Sequence, residues 1–224
     1  GFGKEIYIGI SPAERKFTVI DKGRGIPRGP SGKSKEHLIT IMTSAHSGAK
    51  FNKDSYVGYS RGPNGIGVGA TCMSSDYMKI VTKRDGHTWE LEFNKGVPLT
   101  ETAYPVNETE STGSLFTWVP SQEVFAAEEI VIDFEGIRTM IEEYSFFNPG
   151  VAFTIENEDM KEKYTYLSRN GIRDFADKVI QKPLHKEYLI GKVKENNIEV
   201  EALAKWTGGA GRFYLFVNGA ECPD

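Results

Sequence analysis

Three glycine-centred stretches hold residue types at spacings that suit an anion or a flat ring. Gly29-Pro30-Ser31-Gly32-Lys33-Ser34 ends like a phosphate-binding loop, in which successive backbone amides curl around the phosphate. That loop requires a glycine five residues before Gly32. Position 27 is Pro27, with no amide hydrogen and a fixed φ, so the stretch reads as a polar connection instead. The second stretch, Gly65-Ile66-Gly67-Val68-Gly69-Ala70, satisfies G-x-G-x-x-G/A. Dinucleotide binding by that pattern needs a buried strand just before it, whereas residues 54–64 are polar and contain Pro63. A helix entry rich in free amides still favours an anion, because unpaired N–H groups and the positive end of the helix dipole face it together. Phosphate binding therefore stays and dinucleotide binding goes. The third stretch, Asp21-Lys22-Gly23-Arg24-Gly25-Ile26-Pro27, sets a carboxylate at a strand end beside two glycines. The carboxylate accepts two or more hydrogen bonds, and the glycines let a flat ligand approach the backbone. Alone, D-x-G-x-G is a common turn; its position relative to the second stretch is what raises it.

The elements that must hold these stretches follow from periodicity. Ile6, Ile8 and Ile10 alternate, and Phe17, Val19 and Asp21 follow Ser11-Pro12-Ala13-Glu14, giving a β-hairpin that ends on Asp21. Leu38, Ile41, Met42 and Ala45 recur at helical spacing across 35–46. A short helix is expected after Gly69, with Ala70, Met73 and Tyr77 on one face. Residues 78–81 and 88–91 flank Asp85-Gly86, a hairpin signal. Residues 115–118 read as a strand stopped by Pro120. An amphipathic helix over 133–147 carries Ile137, Met140, Ile141 and Tyr144 and ends at Asn148-Pro149-Gly150. Residues 151–155 and 163–166 make a further hairpin. The pattern restarts after 167–171 with a helix on Ile172, Phe175, Ala176, Val179 and Ile180, then strands near 187–193, 198–206 and 212–218. A domain boundary is placed near residue 168. Trp89, Trp118 and Trp206 are expected in strands, as core or sheet-face packing.

A chain of 224 residues with 39% hydrophobic and 26% charged residues is globular, not disordered, collagenous or coiled-coil. Lys and Arg number 27 against 31 Asp and Glu, a formal net charge of −4, which argues against a surface given over to nucleic acid. Cys72 and Cys222 have no metal-type spacing and suit a reducing compartment. No apolar run nears the roughly 18 residues of a membrane span. His37, His87 and His185 show no ligand spacing, so no metal site is expected among them. The chain opens on Gly1 at a strand-like run and stops at Cys222-Pro223-Asp224 without a closing element, so it reads as a piece of something longer.

Five segments, in order, resemble the ATPase region of type IIA DNA topoisomerases. Asp21–Pro27 resembles that family's D-[ND]-G-R-G-I-P, and His46-Ser47-Gly48-Ala49-Lys50-Phe51 its H-A-G-G-K-F. Ser60-Arg61-Gly62-Pro63-Asn64-Gly65-Ile66-Gly67 is similar to its lid segment S-G-G-L-H-G-V-G. Thr112-Gly113-Ser114 resembles its T-G-T, and Ser145-Phe146-Phe147-Asn148-Pro149-Gly150 its S-F-L-N-P-G turn. The form resembled is the bacterial or phage gyrase B / topoisomerase IV type of subunit. Lys22, Ala49, Arg61 and Pro63-Asn64 depart from the family's pattern; Arg61 would add a phosphate contact or shield the lid, and Pro63 removes one amide from it.

The resemblance implies an α+β fold of the Bergerat (GHKL) type over residues 1–168, lacking its N-terminal helix. That fold is a two-layer α/β sandwich with a mixed, mostly antiparallel sheet, and ATP lies between helices and lid. Residues 169–224 would be the truncated beginning of a transducer (ribosomal S5-like) domain. By motif, Asp21 would accept the adenine amino group, with Gly23 and Gly25 close by and Thr112 or Ser114 helping through water. Arg24, Ile26, Pro27 and Ile41 would wall the adenine pocket. Lys50 would face the phosphates, and the amides of Gly62, Asn64, Gly65, Ile66 and Gly67 would wrap them. The family's water-activating Glu and Mg²⁺-binding Asn would lie upstream of residue 1, and its transducer Lys beyond residue 224. No catalytic residue or metal ligand is therefore expected in this chain, and by itself it is expected to be inactive. The implied ligands are ATP and Mg²⁺. The implied partners are DNA through the full-length protein, a second copy through the ATPase region, and a DNA-cleaving A-type subunit or domain. The implied place is the cytoplasm, or the host cytoplasm for a viral source, with no membrane. Two other readings stand beside this one. The first is a non-catalytic nucleotide-binding or assembly module. The second is another GHKL ATPase of the chaperone or mismatch-repair type, against which residues 46–51 and 146–150 speak.

Overall fold

The computed structural model describes residues 3–26, 35–44, 66–105, 111–125, 131–196, 198–217 and 220–222. Eight strands share one sheet: β1 (Glu5–Ser11), β2 (Lys16–Asp21), β3 (Ser75–Arg84), β4 (His87–Asn94), β5 (Val97–Pro105), β6 (Gly113–Pro120), β7 (Ala152–Asn157) and β8 (Glu162–Tyr166). Their order is β5-β4-β3-β6-β2-β1-β7-β8, antiparallel throughout except for the parallel pair of β1 and β7. Among the described residues the helices are α1 (Lys35–Thr43), α2 (Gly67–Met73), α3 (Phe134–Phe146) and α4 (Ile172–Val179).

Strand register gathers the apolar residues onto one face of the sheet. Ile8 and Ile10 of β1 lie opposite Val19 and Phe17 of β2, which lie opposite Phe116 and Trp118 of β6. These oppose Ile80 and Met78 of β3, which in turn oppose Leu91 and Phe93 of β4. A sheet so loaded must cover that face, and helices do it. Leu38, Ile41 and Met42 of α1 and Cys72 of α2 bury against Met78, Ile80, Leu91 and Phe93. Phe134 of α3 buries against Ile8, Ile10, Phe153 and Ile155. The opposite face is polar: Lys79 pairs with Glu90 and Glu92, and Thr18 Oγ1 lies 3.2 Å from Thr117 Oγ1. There Tyr7 donates to Glu156 (3.2 Å), and burial, helped by that carboxylate, pushes its phenol up to about 12.

Several elements differ from expectation for identifiable reasons. Helix α2 begins at Gly67 and buries Gly69 and Cys72, so Met73 is 46% exposed and Tyr77 belongs to β3. The expected helix over 35–46 ends at Thr43, and Ala45 lies outside the described residues. Strand β5 forms where periodicity predicts none; Lys95 (φ 48°) and Gly96 (φ 77°) make the tight turn that returns the chain along β4. In α3, Met140 is 52% exposed while Phe134, Ser145 and Phe146 are buried. Beyond α4, β9 (Leu189–Glu195) pairs with β10 (Ile198–Ala204), and β11 (Phe216–Val217) with β12 (Ala220–Glu221). Of the strand expected over 212–218, residues 212–215 lie outside any strand and Phe216–Val217 form β11, while residue 218 lies outside the described residues. Trp206 is 60% exposed and outside any strand, while Trp89 of β4 is buried and Trp118 of β6 stacks on Phe17 at 5.3 Å.

Two clusters join the sheet to the elements beyond β8. Phe175 of α4 touches Phe146 (5.8 Å), Phe147 (6.0 Å), Tyr214 (5.4 Å) and Phe216 (5.2 Å). Phe175→Ala should therefore lower unfolding stability by about 3 kcal/mol, read from urea titration. At the start of α4, Asp174 Oδ2 accepts from the amides of Asn170 (3.0 Å) and Arg169 (3.0 Å) and from Ser168 Oγ (2.8 Å). Hydrogen bonds from the backbone and side chain of Asn170, above all, pull its carboxyl down to about 2. A depressed carboxyl contributes stability above its unfolded value of about 3.9 and loses it as pH falls toward 2. Urea midpoints at pH 4, 3 and 2 should fall less steeply in Asp174→Ala than in the unaltered chain. Parallel slopes would mean that this junction is not what acid releases.

Candidate functional site

Strand β2 carries Asp21 to one end of the helix-covered face, opposite Ser114 of β6, which is itself opposite Thr82 of β3. The apolar face therefore ends in a polar row across three adjacent strands. Ser114 is 7% exposed and Thr82 fully buried. A buried hydroxyl is costly unless it is paired, so the row has to be read by its hydrogen bonds.

After Asp21 the chain folds back over β3. The Gly23 amide donates to Asp21 Oδ1 (2.7 Å), which closes the turn on the carboxylate itself. Among the described residues, Oδ2 carries no partner. Thr112 Oγ1 donates to the Gly23 carbonyl (2.6 Å), so its proton is spent on the turn. The Ile26 amide donates to Thr82 Oγ1 (2.9 Å), and Arg84 Nη1 to the Gly25 carbonyl (3.1 Å). Gly25 has φ 75°, and a β-carbon there would run into the Lys83 carbonyl; both facts demand glycine. Ile26 packs on the cluster that contains Ile41 and Leu38 of α1.

The structure thus brings Asp21, Gly23, Gly25, Ile26, Thr112 and Ser114 together and sets Ile41 on the cluster that Ile26 joins. Arg24 is exposed on the turn. Ile66 and Gly67 stand exposed at the start of α2, which no side chain caps. Pro27, Lys50, Gly62, Asn64 and Gly65 lie outside the described residues, as do the whole of 29–34 and 46–51. Burial pushes the Cys72 thiol on α2 up to about 11, which makes it a packing residue and not a nucleophile. Motif and spacing do not single out Thr82 or Arg84. Period two was the available signal for Thr82: Met78 and Ile80 place it on the apolar face, where a hydroxyl is out of character.

Chemically, the row offers a carboxylate oxygen beside a hydroxyl, next to an aliphatic surface. That suits a planar heteroaromatic ring bearing an amino group.

This mixed, mostly antiparallel sheet with helices on one face matches the fold of the ATPase domains of type II topoisomerases. The 43K ATPase domain of Thermus thermophilus gyrase B, solved in complex with an aminocoumarin, shares it with a TM-score of 0.70 at 20% identity, over 90% of this chain and 50% of that one. The Francisella tularensis topoisomerase IV ATP-binding domain, solved with a small-molecule inhibitor, gives 0.68 at 24% identity, over 91% and 53%. The homologues of this chain are DNA gyrase B subunits. That of Spiroplasma citri is 30% identical over 207 residues, and that of Haloferax volcanii 31% over 208. These matches span 89% and 90% of this chain and 32% of each subunit, so the chain spans about a third of the relatives' length. No protein-family model matches the chain. Among the described residues, no helix is long and apolar enough to cross a membrane.

Proposed function

We propose that this chain is the ATP-binding part of a type II DNA topoisomerase, with residues 1–168 as the nucleotide-binding unit and 169–224 as part of a transducer-type unit. The observation that supports this best is Asp21, whose Oδ1 is held by the Gly23 amide while Oδ2 has no partner among the described residues. Adenine presents an amino donor next to a bare ring nitrogen. Asp21 Oδ2 accepts from the amino group, and the Ser114 hydroxyl serves the ring nitrogen, directly or through water. Ile26 and Ile41 cover the ring, with Arg24 and Pro27 at its rim, and Thr112 keeps Gly23 in place. Lys50 and the amides of Gly62, Asn64, Gly65, Ile66 and Gly67 take the phosphates.

Among the described residues, no three His, Cys, Asp or Glu side chains converge. A Mg²⁺ ion bound with the nucleotide would take its ligands from phosphate oxygens and water, with one or two side chains of the protein. In the whole protein, ATP binding would close a gate between two copies, and DNA and a cleaving A-type subunit would be the partners, in the cytoplasm.

Calorimetric titration tests the reading. ADP should bind the chain saturably at one site, and GDP at least tenfold more weakly, because a guanine O6 would face the Asp21 carboxylate without a proton between them (an estimate of about 1.4 kcal/mol or more). No ADP binding, or equal binding of both, would refute it.

A further inference from the structure

We infer that Thr82 is a positioning residue for the base: its buried hydroxyl pins the turn and aims the proton of Ser114 at the ligand. The inference rests on the reading of Asp21 and Ser114 as an adenine site. A threonine hydroxyl has one proton to give and two lone pairs to receive. At Thr82, one lone pair takes the Ile26 amide proton at 2.9 Å. Two acceptors compete for its own proton, Ser114 Oγ at 3.2 Å and the Gly113 carbonyl at 3.4 Å.

Ser114 is the nearer of the two. Once Thr82 donates to it, Ser114 Oγ has received its bond from within the sheet, and its own proton is left for a ligand. Asp21 and Ser114 then present an acceptor beside a donor. That pair is complementary to an amino group next to a bare ring nitrogen, which is the edge adenine shows. A guanine edge shows the reverse, a carbonyl next to an N–H. Were Ser114 to donate to Thr82 instead, the row would offer an acceptor beside an acceptor, which does not match the amino group and bare ring nitrogen of adenine.

Packing alone does not call for this residue. Met78 and Ile80 precede Thr82 on the same face, where valine has the same branched shape but would leave the Ile26 amide without its acceptor. The hydroxyl is therefore best accounted for by what it bonds.

The test is ADP affinity of the full 224-residue chain, measured by calorimetry for Thr82→Val, Thr82→Ser, Ser114→Ala and the pair Thr82→Val/Ser114→Ala, with Asp21→Asn alongside. Thr82→Val should weaken ADP by about tenfold, and Thr82→Ser, which keeps the hydroxyl, should stay within about twofold of the unaltered chain. In the Ser114→Ala background the same Val change should cost less than about threefold, because the proton it controlled is already gone. Equal losses in both backgrounds, no loss in Thr82→Val, or a failure of Ser to restore affinity would each overturn the role through Ser114.

One measurement needs no change at Thr82. The analogue 1-deaza-ADP keeps the amino group and lacks the ring nitrogen, and should bind about tenfold more weakly than ADP. Equal affinities would overturn the assignment of Ser114 as donor. If Asp21→Asn also binds like the unaltered chain, the adenine reading itself has failed. If Asp21→Asn alone weakens binding, that reading stands and the inference about Thr82 falls.

Discussion

Asp21→Asn should cost about two orders of magnitude in adenine-nucleotide affinity while leaving the fold intact. The reason lies in which oxygen is already committed. The Gly23 amide holds Oδ1 at 2.7 Å, and an Asn carbonyl oxygen can take over that bond. The turn therefore closes as before, and its closure fixes the amide's orientation. The other arm becomes an –NH₂ group, which meets the amino group of adenine donor to donor. A charged acceptor is lost and an unpaired donor put in its place. Calorimetry should show the loss, and thermal unfolding should show a midpoint nearly unchanged. A loss of only two- or threefold would mean that Asp21 serves the turn and not the base.

The second large effect is expected from Gly113→Ala. Gly113 opens β6 with φ 150°, and a β-carbon there would collide with the Asp21 carbonyl. Neither party can move aside cheaply, because both are backbone held in the sheet: Asp21 pairs with Ser114 at the end of the β2–β6 ladder, and Gly113 pairs with Lys83 of β3. The change should cost about 3 kcal/mol, which for a chain of this size lowers the melting temperature by roughly 6–12 °C. Nucleotide binding should weaken as well, since Ser114 follows directly and faces Asp21 across the pairing. Gly86 supplies the control: its φ is 71°, but a β-carbon there would meet nothing within 4 Å. Gly86→Ala should cost only about 1 kcal/mol, the conformational part alone. Similar melting temperatures for the two variants would remove the steric argument.

Alternation made much of this architecture legible in the sequence. Ile6, Ile8 and Ile10 against Phe17 and Val19 define the first hairpin, and the same period runs through β3, β4 and β6. Strand β5 escaped because its signal is weak: Pro98, Thr100 and Glu101 do not look like a core strand, and an edge strand need not. Trp206 misled because an aromatic residue in a β-rich stretch suggests packing, whereas this one lies between elements. At the site, motif resemblance pointed to Asp21, Gly25 and Ser114, all of which the sheet brings to one end. It could not point to Thr82, whose importance depends on lying opposite Ser114 and beneath Ile26. Those relations join residues more than thirty and fifty positions apart, which no local pattern contains.

The parallel pairing of β1 with β7 also bears on how the chain is made. Ile6 lies beside Phe153, so one long edge of β1 waits for a strand 147 residues further on (153 − 6). At a ribosomal pace of roughly 5–20 residues per second, that wait lasts about 7 to 30 seconds. During it, the hairpin of β1 and β2 offers an unpaired, Ile-rich margin to any neighbouring nascent chain. Shielding by a holding chaperone, or slower synthesis that keeps copies apart, should therefore raise the soluble yield.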